Sequence, residues 1–426
     1  MRSVLADHQT SKAGRPRLWA AGLSAFAAVL VIMVLVVLLV RGGDRYEVDP
    51  RRVEVARPSP AAAATALATF VSGVETRDAA VLTSLAPDED EGAKEVLAGV
   101  AANAASLELS DVSARYVDQV GTVATDGTWA AVAELGWRVA GDAAPSRADV
   151  VVRFAPDAEG VGVVGFGGAG AGRVPLWLRG ELSVARAPGV LVMVDGAWDE
   201  AVAVVRRVTR GTAVVRRVLP AWRAPVVVEV PASSADLDEA LGAAAGTYAG
   251  IAAVTASAGG SSDGDAPVHV FVNPEVTAGL SRAGAQVVMS HELVHVATDA
   301  ARGGIEPWLV EGFADYVALR DTALPDRTIL GRAIAAARAE GVPTSLPEAA
   351  RFDTRADALQ ARYEEAWLAC RIIAEKLGER ALVAAYNDVR AGTPVASALA
   401  GRGMAERALL KAWRWRLTQL VAETKG

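Results

Sequence analysis

Cysteine occurs once in 426 residues, at Cys370, so an internal disulfide is excluded and packing must stabilise the fold. No His or Asn pattern accompanies Cys370, which argues for a small buried apolar residue over a nucleophile. Excess positive charge is missing too. The formal net charge is −7, so the chain lacks the basic footprint of a nucleic-acid-binding protein. Histidine is scarce, with only 4 in the chain, yet two of them fall in a single stretch, His291 and His295. The concentration of a rare ligand residue in one place makes a metal site the first hypothesis.

The stretch reads His291-Glu292-Leu293-Val294-His295. On a helix, residues at i and i+4 leave the same face one turn apart, so both imidazoles can reach one tetrahedral zinc ion. Glu292 lies beside the first ligand, where it can reach a water held by the metal without binding the metal itself. Gly303-Gly304 offers a stop for that helix, and Pro307 suits the first turn of a new one. The new helix carries Trp308-Leu309-Val310-Glu311-Gly312-Phe313-Ala314-Asp315-Tyr316, with Glu311 and Asp315 four residues apart on one face. The plain alternative is a helix pair whose two histidines are satisfied core residues.

Together these residues resemble the signature of the gluzincin metallopeptidases, the clan of thermolysin and the aminopeptidase N-like enzymes: HExxH on one helix and W-L-x-E-G-x-A on the next. The resemblance implies one Zn2+ per chain, bound by His291, His295 and Glu311, with Glu292 as general base. It implies that Asp315 braces a ligand histidine and fixes its tautomer. Downstream, Tyr363-Glu364-Glu365-Ala366 is similar to the helix start whose phenol steadies the oxyanion; the plain alternative for Tyr363 is a core aromatic of that helix. An edge strand lying along the substrate is also implied. The alternating segment from Val268 to Glu275 is the candidate for it, through Val270, Val272 and Asn273. Thr298 and Ala301 stand where a metzincin needs Gly and His. No G-x-M-E-N strand is present to hold a substrate's amino terminus, so aminopeptidase specificity is not implied. The expected activity is hydrolysis of a peptide or protein substrate. The alternative is a non-catalytic cell-envelope scaffold or binding protein with a retained metal site.

The remaining organisation follows from apolar runs and punctuation. Residues 18–40 form an uncharged, mostly apolar run long enough to span a hydrocarbon core of about 30 Å, and no small-residue cleavage site follows it. The expected layout is a cytoplasmic leader over 1–17, a transmembrane helix over 18–40 and a Pro/Gly-bearing linker over 41–60. Residues 61–170 pattern as helices followed by antiparallel strands, similar to the nuclear-transport-factor-2-like cone domains. Residues 175–426 would form the peptidase domain, with strands near 180–186, 190–194, 226–230 and 268–272, and a helix near 235–255. The expected fold class is therefore α+β: a single N-terminal transmembrane helix, a small cone-like domain, and a gluzincin-like domain with a mixed sheet followed by helices. Such a protein would be a single-pass cell-membrane protein with its catalytic domain outside.

Overall fold

The computed structural model describes residues 58–158, 160–168, 172–261, 265–356 and 358–423. Helix α1 (Pro60–Thr76) begins where the sequence offers a cap: Ser59 accepts from the Ala62 N–H, and Pro60 takes a first-turn position that needs no N–H. Helices α2 (Ala79–Thr83) and α3 (Glu91–Ser106) are capped by Asp78 and Asp90. Strands β1 (Ser110–Val120), β2 (Trp129–Arg138), β3 (Ser146–Asp157) and β4 (Gly160–Phe166) then pair antiparallel in chain order. Side chains alternate across a strand, so Ala131, Ala133, Leu135 and Trp137 of β2 share a buried face with Val150, Val152 and Phe154 of β3. That face packs on Leu67, Phe70 and Val74 of α1 and on Leu97, Val100 and Ala104 of α3.

A second, five-stranded sheet follows. It is built from β5 (Ser183–Ala187), β6 (Val190–Val194), β7 (Val226–Val230), β8 (Ala253–Ser257) and β9 (Val268–Val272). Helix α4 (Trp198–Val218) links β6 to β7, and α5 (Ser234–Ala240) lies between β7 and β8. The order is β5-β6-β7-β9-β8, with β6, β7 and β9 parallel and both outer strands antiparallel. Valine-rich β6 and β7 are buried at every position, as expected of strands covered on both faces. Leu191, Met193 and Val227 join the core of the first sheet, while Val192, Val194, Val228 and Val270 face the helices. The polar exceptions on the first of these faces are Glu229 and His269. His269 bonds Glu229 through Nδ1 at 2.7 Å and Asp142, in the turn after β2, through Nε2 at 3.1 Å.

The rest of the chain is helical: α6 (Pro274–Ala278), α7 (Arg282–Thr298), α8 (Pro307–Ala318), α9 (Asp326–Ile329), α10 (Gly331–Glu340), α11 (Leu359–Leu377), α12 (Glu379–Arg390), α13 (Val395–Ala400) and α14 (Glu406–Glu423). Helix α7 runs between α4 and α8, and α8 packs closely on α11. Gly312 makes that approach possible, because a Cβ there would fall on the Ala366 carbonyl of α11.

Several expectations are corrected. The described chain is α+β, with two sheets and, among the described residues, fourteen α-helices, none of them long and apolar enough to cross a membrane. The longest of these, α4 at 21 residues, has the length but carries Arg206, Arg207, Arg210, Arg216 and Arg217. The leader, the expected span over 18–40 and the linker up to residue 57 lie outside the described residues. The helix expected to reach residue 255 stops at Ala240, after which Gly242 and Gly246 take left-handed backbone conformations and β8 begins. Helix α7 ends earlier than Gly303: Asp299 adopts the left-handed cap, and its N–H reaches the carbonyls of His295 and Val296.

Candidate metal centre

Helix α7 delivers His291 and His295 one turn apart, and α8 brings Glu311 against both. The His295 Nε2 lies 2.9 Å from His291 Nε2 and 3.4 Å from Glu311 Oε2, while His291 Nε2 lies 3.1 Å from that same oxygen. The rings meet nearly edge-on, at 82°. Three donors of a tetrahedral zinc with bonds of about 2.0–2.1 Å would stand roughly 3.3 Å apart, so the trio fits that ion with small adjustments. Among the described residues it is the one group of three or more His, Cys, Asp or Glu side chains placed to hold a metal ion.

The surroundings favour positive charge at this point. A carboxylate can only accept, so His291 donates from Nδ1 to Asp315 Oδ1 at 2.7 Å, which leaves Nε2 of the neutral ring facing Glu311 and His295. Burial by itself would lower the His291 pKa, but Asp315 and Glu311 outweigh it and hold the imidazolium well above the usual histidine range. Burial likewise pushes Glu311 upward, and His295 and His291 reverse this, holding its carboxyl well below the usual range. A donor set that attracts a proton so strongly is also one that attracts a divalent cation.

Glu292 is buried on the inner side of α7, and its Oε2 accepts from the Thr255 hydroxyl of β8 at 2.6 Å. Tyr363 stands in the second turn of α11 with its ring centroid 6.3 Å from that of His291. Burial, and then Glu311, Glu292 and Asp315, push its phenol pKa far up, so it stays a protonated hydrogen-bond donor. Next to it, Glu364 lines the same cavity and accepts from the N–H groups of Arg332 and Ala333 at the start of α10, while the buried Glu365 pairs with Arg362. A cavity of about 460 Å³ adjoins the centre, reached by His291, Glu292, Asp315 and Tyr363 and walled by Ile251, Val276, Leu280 and Ile329 together with Arg332 and Gln360. A smaller one of about 170 Å³ also adjoins it, where Thr255, His295 and Glu311 join His291, Glu292 and Tyr363.

The residues expected at the metal centre are thus together. The expected substrate strand is not among them. Val270 and Val272 belong to β9, which is paired on both sides by β7 and β8, and both are buried. Asn273 caps α6 through Oδ1 and donates to the Tyr248 carbonyl. The outer strand beside α7 is β8, and its Thr255 is a site residue that sequence reasoning missed. The Ala-Val-Thr-Ala-Ser run of β8 carries only weak strand character, and nothing local ties it to a helix 37 positions away. Compared with known proteins, the chain matches no protein-family model, no curated protein and no solved structure.

Proposed function

We propose that the chain is a zinc-dependent metallopeptidase, and the observation that carries this reading is the convergence of His291, His295 and Glu311 beside a buried Glu292. His291, His295 and Glu311 would hold the ion, with Asp315 orienting His291. When bound, zinc supplies activation of a water and polarisation of a carbonyl. Glu292 takes the proton from the attacking water and passes it to the leaving amine. Tyr363, protonated across the working pH range, donates a hydrogen bond to the oxygen on which negative charge develops. Three protein ligands and an open approach from two cavities suit catalysis better than a closed structural site, which has four protein ligands and needs no base. The apolar wall of the larger cavity favours peptides with an apolar side chain beside the cleaved bond.

The test is cleavage of a peptide library by residues 58–426, with zinc, with chelator and with zinc restored. Hydrolysis that disappears with chelator and returns with zinc supports the reading. A zinc-loaded protein that cleaves no peptide would overturn it.

A further inference from the structure

We propose that Thr255 is a positioning residue for Glu292, a role that rests on the metallopeptidase reading. Its hydroxyl lies 2.6 Å from Glu292 Oε2 and 3.2 Å from the Glu292 backbone carbonyl. One proton serves one strong bond, and the carboxylate is both the nearer and the more negative acceptor. Glu292 has two carboxylate oxygens, and Thr255 occupies one. The carboxylate plane is thereby fixed, with Oε1 left for the proton that must be moved. Burial makes this matter: Glu292 is 6% exposed, so little solvent is available to orient its carboxylate.

Thr255 is also well placed to link the base to the substrate. Ala252 accepts from the Asn273 N–H and Ala258 donates to the Pro267 carbonyl. Antiparallel pairing alternates, so even-numbered residues of β8 turn their backbone groups toward β9, and Ala253, Thr255 and Ser257 turn theirs to the outer side. A single residue therefore presents its backbone along the sheet's outer edge and its hydroxyl to the base.

Thr255→Val keeps the shape and β-branching but removes the donor, and Thr255→Ser restores the donor. Zinc content, kcat and KM on one cleaved peptide are measured for wild type and both variants. Thr255→Val should keep zinc and KM but lose about 10- to 100-fold in kcat, the worth of a hydrogen bond to a charged group, and Thr255→Ser should recover most of it. As a readout independent of activity, the melting-temperature loss of Thr255→Val should shrink in a Glu292→Ala background, since the bond it removes is already gone. If Thr255→Val does not fold, Thr255→Ala takes its place. A cleaving wild type matched within twofold in kcat by Thr255→Val would overturn the role of Thr255 and leave the proposed function standing. A zinc-loaded wild type that cleaves nothing would sink both.

Discussion

Asp315 is not one of the three donors proposed to hold zinc, yet it decides how His291 presents itself. By accepting from Nδ1 at 2.7 Å it sets the tautomer and ring angle of His291. Asp315→Asn keeps the volume and removes the charge, so zinc affinity should fall about 10- to 100-fold, read by competition with a chromogenic chelator. Tyr363 separates two roles. As an oxyanion donor its loss in Tyr363→Phe should cost about 10²–10³ in kcat with zinc retained, whereas a core aromatic would leave kcat unchanged. Much of this centre is legible in the sequence because helical periodicity alone puts His291 beside His295, and Glu311 over Asp315. Thr255 is not legible, because only the packing of β8 on α7 brings it to Glu292.

At the level of elements, the centre depends on how tightly α8 lies against α11. Gly312 directly follows Glu311, a proposed zinc ligand, and meets the Ala366 backbone, so Gly312→Ala forces the helices apart. Helix propensity would gain about 1 kcal/mol from the substitution, while overpacking typically costs 1–3 kcal/mol and sometimes more. A lowered melting temperature together with weakened zinc retention is the expected result. A stabilised variant with full zinc would show that the contact yields freely. The four strands of the first sheet were readable from alternation bounded by Gly and Asp turns, and β6, β7 and β9 from their valine runs. The outer strand β8 was not, because alanine-rich sequence near glycines fits a helix as well as a strand until a partner strand is present.

For the whole molecule, the two sheets share a core and are clamped by the buried Asp142–His269–Glu229 group. Burial lowers the His269 pKa, but Asp142 and Glu229 outweigh it and raise it to about 10. A folded-state pKa above the unfolded value near 6.5 stabilises the fold fully below that value, and the contribution is lost as pH rises through about 10. Wild type should therefore lose on the order of a few kcal/mol across this window in urea unfolding. His269→Gln should be less stable at pH 6 by about 3–5 kcal/mol, because two carboxylates stay buried without a cation, and should lose less on going to pH 10. Equal stability of the two proteins at pH 6 would show that the group does not clamp the sheets. None of this was visible from spacing, since the three residues come from separate strands and a turn. The most direct test of the central claim is kcat on one cleaved peptide for wild type and Glu292→Gln, each with its zinc content measured. Equal zinc and a rate lower by about 10²–10⁴ in the variant are expected. A Glu292→Gln protein that carries full zinc and cleaves at the wild-type rate would contradict that claim.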